Sequence, residues 1–128
     1  YPFLSINRIN SRSSDTNGRL KKMIRFLKHC KAEAAVKVDL SSFDINAVCY
    51  DIHPDTYKML SFYELVPVLY GQLKSLCEND THANDLVSVD GREYILRHNQ
   101  EKRRNLQLLL SEVQGIFLDM NQAKLLAS

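Results

Sequence analysis

The feature that most limits the possible folds of this chain is a helical repeat of apolar side chains in two long segments. The first segment runs from about Arg19 to Glu33 and the second from about Gln100 to Leu126. In each, apolar residues recur three and four positions apart, which places them on one face of a helix. They are Leu20, Met23, Ile24, Leu27 and Cys30 in the first segment, and Leu106, Leu109, Leu110, Val113, Ile116, Phe117 and Met120 in the second. Each apolar face needs a partner surface, so the pattern predicts a bundle of helices.

The segments between these two helices predict further, shorter helices. One follows Ser41 or Ser42, either of which can cap it, and it ends before His53-Pro54. Residues 55–77 predict a short helix and then a longer one, with Pro67 marking a kink or the first turn. Residues 1–17 are rich in Asn and Ser and predict a leading segment that is extended at first and then a loop.

One segment carries a β signal. Two alternating runs flank Asp90-Gly91, a residue pair typical of tight hairpin turns, and predict a small β-hairpin at about residues 86–95. The expected fold is therefore a mostly α, bundle-like single domain over residues 1–128, with four to five helices and this one hairpin.

Composition limits the compartment and the class of protein. No apolar run approaches the roughly 20 residues of a spanning helix, so no membrane association is expected. The three cysteines, at 30, 49 and 77, are dispersed, which argues for a reducing, cytoplasmic environment rather than a disulfide framework. Tyr1 is not a start methionine, and we therefore expect a fragment of a longer polypeptide, cut at a domain boundary.

Positive charge is concentrated at the front of the chain. Residues 1–31 hold eight Lys or Arg and one acid, whereas residues 32–128 hold nine and fourteen. Lys21, Arg25 and Lys28 fall within about 60° of one another on a helical wheel. No acid lies between them to compensate their repulsion. Two interpretations follow: a site for a polyphosphate, or a solvated helix face.

The start of the next predicted helix adds two candidate ligand-binding residues. Ser42 offers a hydroxyl at a helix N-terminus, which suits an anion or the edge of a base. Phe43 points away from the apolar face and could stack on a nucleobase, or it could pack under a neighbouring helix.

Several chemistries find no support in the sequence. There is no glycine-rich phosphate loop, no metal-binding cluster, and no nucleophile with a base and an orienting group. The Asp-x-Asp pair that holds two cations in nucleotidyl transfer is also missing. No catalytic and no metal-ligating residues are predicted within this chain.

The segments "LKKMIRFLKHC" and "LSSFDINAVCYDI" together resemble the helical region of template-independent nucleotidyltransferases. The likeness is nearest to oligoadenylate synthetases and to bacterial cyclic-oligonucleotide synthases, and it extends more distantly to poly(A) polymerases and CCA-adding enzymes. It covers Gly18 to Ile52.

The resemblance implies a nucleoside triphosphate as ligand and assigns roles to five residues. Lys21 and Lys28 would contact phosphates, Phe43 would stack on the base, and Ser42 would bond the base or sugar. Arg25 would hold phosphate or bridge to a second domain. That domain, upstream in the same polypeptide, would carry the carboxylates that hold Mg²⁺, so this chain would not be catalytic alone.

Two other functions remain open from the sequence. Arg97 with Lys102-Arg103-Arg104 forms a second basic cluster, which could extend the first along RNA or DNA. Alternatively, the leucine-rich last helix could dock a protein partner, as in an adaptor without enzymatic activity. Base specificity, product and oligomeric state cannot be read from the sequence.

Overall fold

The computed structural model describes residues 2–127, and within them the fold consists of six α-helices and one 3-10 turn. The helices are α1 (Pro2–Asp15), α2 (Arg19–Glu33), α3 (Ser42–Tyr50), α4 (Phe62–Glu78), α5 (Asp80–Asp85) and α6 (Gln100–Ala127), and the 3-10 turn is Pro54–Thr56. The predicted mostly α class is confirmed, with six helices in place of the expected four or five.

Helix α2 lies at the centre of the bundle and contacts α1, α3, α4 and α6. Its predicted bounds and all five of its predicted apolar positions are confirmed, because those five side chains are buried. It begins after Gly18, whose φ of 81° is in the left-handed region that favours glycine. The apolar face of α2 thereby forms the middle of the hydrophobic core.

Helix α3 begins with a reciprocal hydrogen-bonded cap. The Ser41 hydroxyl accepts from the Asp44 backbone N–H at 3.1 Å, and the Asp44 carboxylate accepts from the Ser41 backbone N–H at 2.9 Å. This is the capping box, with Asp in place of the usual Glu. It fixes where α3 starts and therefore where Ser42 lies.

Helices α4 and α6 form the most extensive contact between two elements. Ser61 and Glu64 form a second capping box at the start of α4. Pro67 lies inside this helix, more than a turn after its start, and the helix continues to Glu78. The Tyr70 and Phe117 rings stack across the α4–α6 contact with centroids 4.9 Å apart.

The prediction of an extended segment and loop over residues 1–17 is wrong for Pro2–Asp15, which form α1. Tertiary hydrogen bonds hold this polar helix in place. Arg8 donates to the Val89 carbonyl at 2.7 Å, and Arg12 donates to the Tyr50 carbonyl while its guanidinium lies 3.7 Å from the Tyr50 ring centroid. Tyr1 lies outside the described residues.

The predicted β-hairpin at residues 86–95 is also wrong. A turn is present, with Gly91 at φ 75°, but only one isolated bridge joins Val87 to Tyr94. The Ser88 hydroxyl accepts from the backbone N–H groups of Arg92 and Glu93 at 3.2 and 3.1 Å. Two backbone hydrogen bonds cross the turn, from the Ser88 N–H to the Glu93 carbonyl at 2.8 Å and from the Ile95 N–H to the Leu86 carbonyl at 3.0 Å. The Glu93 N–H, however, donates to the Ser88 hydroxyl, and side-chain bonding of this kind competes with a strand ladder.

The buried apolar side chains form a single core with contributions from α2, α3, α4 and α6. Leu86, Ile95 and Leu96, from the segment that was expected to be a hairpin, join the same cluster. Among residues 2–127, no helix combines the length and the apolar character that crossing a bilayer requires.

Candidate functional site

A basic cleft lies between the C-terminal half of α2, the loop that follows it, and the start of α3. Its volume is about 470 Å³, within the usual range for ligand pockets. It is lined by Lys28, Lys31, Ala32, Ala34, Lys37, Val38, Asp39, Ser42 and Ile45. Three lysines against one aspartate give the cleft a net positive charge, so it is suited to an anion.

Two of the five residues predicted from the sequence, Lys28 and Ser42, line this cleft together. Arg25 lines a different pocket, and Lys21 lines neither. Phe43 also lies outside the cleft lining, and it is 37% exposed, so part of its side chain is open to solvent. The structure thus separates the predicted set into a pair that meets and three residues that flank it.

Of the three lysines that line the cleft, two were not predicted from the sequence, and these are Lys31 and Lys37. Lys31 is three residues after Lys28 on α2, and its spacing could have placed it beside the stripe. Lys37 is in the irregular segment between α2 and α3, where no periodicity indicates the direction of a side chain.

The cleft lysines differ in how much hydrogen-bonding capacity they retain. The Lys31 ammonium donates to the Leu40 carbonyl, which ties it to the loop. Lys28 and Lys37 are exposed, and neither forms an ion pair with a carboxylate among residues 2–127. These two ammonium groups are therefore the ones available to an anionic ligand.

Helix α6 forms one hydrogen bond to Asp39, which lines the cleft, and one to Asp44, which lies two residues after Ser42. The Lys102 ammonium donates to the buried Asp44 carboxylate at 2.9 Å, and the Asn105 side-chain oxygen accepts from the Asp39 backbone N–H at 2.8 Å. Because Lys102 neutralises Asp44, the one acid in the first turn of α3 does not repel an anion near Ser42.

The second basic cluster is engaged in ion pairs. Arg103 pairs with Asp80 at 2.7 Å, Arg104 with Glu101 at 2.7 Å, and Arg97 with Asp85 at 3.6 Å. Lys102 is held by Asp44. This engagement argues against a continuous phosphate-binding surface for RNA or DNA along α6.

A Ser-His-Asp arrangement also occurs, but its surroundings indicate a structural role. The His82 Nε2 atom is 2.7 Å from Asp51 Oδ2, and its Nδ1 atom is 2.7 Å from Ser75 Oγ. Since a carboxylate only accepts, Nε2–H donates to Asp51, and in the neutral ring Nδ1 accepts from the Ser75 hydroxyl. Gln72 completes the cluster by donating to Asp51 at 2.8 Å. The cluster joins α4, α5 and the end of α3.

The thiols are unsuited to nucleophilic chemistry. Burial raises the pKa of Cys30 and of Cys77 to about 11, and it raises the pKa of the fully buried Cys49 further. Since the thiolate is the reactive form, all three remain protonated near neutral pH.

The difference in burial among the three thiols predicts an order of alkylation. With iodoacetamide at pH 8, we expect Cys77, which is half-buried, to react first, and Cys30 and Cys49 to react only when the fold opens. In urea all three should react at similar rates. Mass spectrometry of labelled peptides measures the order, and native labelling of Cys49 as fast as Cys77 would contradict it.

Metal-binding residues do not cluster in the described part of the chain. Among residues 2–127, no three His, Cys, Asp or Glu side chains are grouped so that they could hold a metal ion.

The helical bundle with its basic cleft corresponds to a known domain type. The model of the cGAS/DncV-like nucleotidyltransferase C-terminal helical domain matches residues 7–117. The chain belongs to this family, which confirms the resemblance to bacterial cyclic-oligonucleotide synthases.

The names of individual relatives state an activity, which the description of the family does not. A c-di-GMP synthase of Capnocytophaga granulosa is 54% identical over 106 residues, which cover 82% of this chain and 30% of that protein. A c-di-GMP synthase of a Lachnospiraceae bacterium is 42% identical over 121 residues, covering 94% and 35%.

The solved structures that resemble this chain are also c-di-GMP synthases. The STING-associated CdnE c-di-GMP synthase from Capnocytophaga granulosa superposes with a TM-score of 0.93 at 52% identity, covering 96% of this chain and 40% of that one. The corresponding enzyme from Flavobacteriaceae sp. gives a TM-score of 0.90 at 39% identity, covering 95% and 36%. The chain spans about a third of the length of the two c-di-GMP synthases compared by sequence.

Proposed function

We propose that this chain is the nucleotide-binding helical part of a cyclic-dinucleotide synthase that uses guanosine triphosphate. The observation that carries the proposal is the meeting of Lys28 and Ser42, with Lys37, in one positively charged cleft. Family membership supports it independently, and the activity for which the relatives are named, c-di-GMP synthesis, supplies the guanine nucleotide.

Each cleft residue has a chemical task in this proposal. Lys28 and Lys37 hold the triphosphate, because two unpaired ammonium groups can engage several oxygens at once. The Ser42 hydroxyl bonds the sugar or base, and exposed Phe43 stacks on the base. Lys21 and Arg25 add positive charge along α2, and Arg25 alternatively bridges to a second domain.

Catalysis in this proposal needs groups from outside the chain. Carboxylates of an upstream domain of the same polypeptide hold the Mg²⁺ ions, which fits the dispersed acids of residues 2–127. When bound, Mg²⁺ neutralises the charge that develops on the triphosphate. The residues of this chain would bind and orient the nucleotide.

Isothermal titration calorimetry of the 128-residue chain with GTP, ATP, CTP and UTP at low salt tests the proposal. We expect GTP to bind, and the double variant Lys28→Gln/Lys37→Gln to bind at least about tenfold more weakly, because charge-assisted hydrogen bonds contribute about 1.5–3 kcal/mol each. The matched control is Lys124→Gln, which removes an exposed charge from α6 and should leave binding unchanged.

Different outcomes refute different parts of the proposal. If the double variant binds GTP as tightly as the unaltered chain, the cleft is not the triphosphate site. If all four nucleotides bind equally, guanine selectivity does not reside in this chain, although the triphosphate site stands.

A further inference from the structure

A second pocket lies on the other side of α2, where that helix meets the start of α4. It has a volume of about 300 Å³ and is lined by Lys22, Arg25, Phe26, His29 and Phe62. The Phe26 and Phe62 rings meet edge to face, with centroids 6.0 Å apart and planes at 80°. Phe62 is 47% exposed, so about half of its surface is open to a flat ligand.

The rim of this pocket is positively charged and uncompensated. Lys22, Arg25 and His29 are all exposed, and none forms an ion pair with a carboxylate among residues 2–127. Glu64, the acid closest in sequence to Phe62, is engaged in the cap of α4, where its carboxylate accepts from the Ser61 backbone N–H at 3.0 Å. The pocket therefore combines an aromatic wall with basic groups that have no anion to pair with.

We infer that this pocket is a second nucleotide-binding site, which takes one purine nucleotide with its base on Phe62 and its phosphate on Lys22 and His29. Each half of such a ligand has a matching surface: base–aromatic stacking for the flat ring system, and ammonium and imidazole groups for the phosphate. A free phosphate would leave the rings unused, and an apolar peptide would leave the Lys22 and Arg25 cations desolvated and unpaired.

The size of the pocket limits the ligand to a single nucleotide. A volume of about 300 Å³ is at the lower end of the range for small-molecule sites. The site is distinct from the basic cleft, because the two sets of lining residues share no member. The inference does not depend on the proposed function, since Lys22, His29 and Phe62, which contact the ligand here, have no role in that function.

Titration of the ¹⁵N-labelled chain with guanosine 5′-monophosphate, followed by amide chemical shifts, tests the inference. We expect the largest shifts at Phe26, His29 and Phe62. We expect Phe62→Leu to weaken binding about 5- to 100-fold, because stacking on one aromatic ring accounts for a loss of that size. The matched variant Phe62→Tyr keeps an aromatic face and should bind within about twofold of the unaltered chain.

Two further probes distinguish nucleotide binding in this pocket from binding of phosphate alone and from binding in the basic cleft. Ribose 5-phosphate carries the same phosphate without a base and should bind more weakly than guanosine 5′-monophosphate by a similar factor. The Lys28→Gln/Lys37→Gln variant should leave the shifts at Phe62 unchanged, so failure of the basic cleft and failure of this pocket are read separately.

Three results would overturn the inference. They are equal binding of guanosine 5′-monophosphate by Phe62→Leu and the unaltered chain, equal affinity for the nucleotide and for ribose 5-phosphate, and shifts confined to the surroundings of Lys28 and Ser42. Both Phe62 variants alter a half-exposed side chain, and a native-like amide spectrum verifies that each is folded before it is titrated.

Discussion

Replacing Leu27 with alanine is expected to lower the free energy of unfolding by about 2–5 kcal/mol, the range for truncating a buried leucine. Leu27 is fully buried on α2, the helix that contacts four others. Its neighbours belong to several elements and cannot all move inward, so the truncation leaves a cavity. Urea denaturation followed by circular dichroism measures the loss.

The matched control for this prediction is Leu118→Ala on α6. Leu118 is 55% exposed, and its truncation should change stability by no more than about 0.5 kcal/mol. If Leu27→Ala were as mild as Leu118→Ala, the central position of α2 in the core would be incorrect.

Replacing Asp44 with alanine should destabilise the fold by about 3 kcal/mol. The change removes the carboxylate that accepts the Ser41 backbone N–H in the capping box of α3, and it breaks an ion pair whose acidic partner is buried. The Asp44 side chain is 3% exposed, whereas Lys102 is 34% exposed and can partly regain water. We therefore expect the lower end of the range for a broken buried pair, again measured by urea denaturation.

A double-mutant cycle with Lys102→Met separates the ion pair from the cap. Lys102→Met alone leaves the Asp44 carboxylate buried without its cation and should also be costly. The double variant should cost less than the two single changes together, by about 1 kcal/mol or more. Additivity within about 0.5 kcal/mol would mean that the 2.9 Å contact does not couple the two residues.

Helices α2 and α6 could be predicted from the sequence because their apolar residues follow the helical period over several turns. Helix α1 could not. Its sequence, "PFLSINRINSRSSD", has exposed Phe3 and Ile6 and depends on Arg8 and Arg12, whose partners Val89 and Tyr50 are 81 and 38 residues away. Contacts of that range leave no local pattern.

The incorrect hairpin prediction has a different cause. The Asp90-Gly91 turn itself was correctly located, but a sequence pattern does not show that one hydroxyl takes up two backbone donors. Ser88 does so, because its hydroxyl accepts from the N–H groups of Arg92 and Glu93. Of the backbone bonds between Ser88 and Glu93, only the one from the Ser88 N–H to the Glu93 carbonyl then forms.

The candidate site was predictable to the extent that its residues lie on regular helices. Lys28 on α2 and Ser42 at the start of α3 were predicted and meet in the cleft. Lys37 was not, because the cleft is closed by an irregular loop whose path depends on Asn105 of α6. The nucleotide-binding roles of all five predicted residues stay predictions, and these residues are Lys21, Arg25, Lys28, Ser42 and Phe43.

The bonds from α6 to the cleft have a consequence for the order in which the protein takes shape during translation. Asp44 is synthesised 58 residues before Lys102, and Asp39 is synthesised 66 residues before Asn105. When α2 and α3 of a nascent chain have emerged from the ribosome, the bonds from α6 to Asp39 and Asp44 have therefore not yet formed. The cleft therefore reaches its described shape only after the first two turns of α6 have emerged, when the bundle is nearly complete.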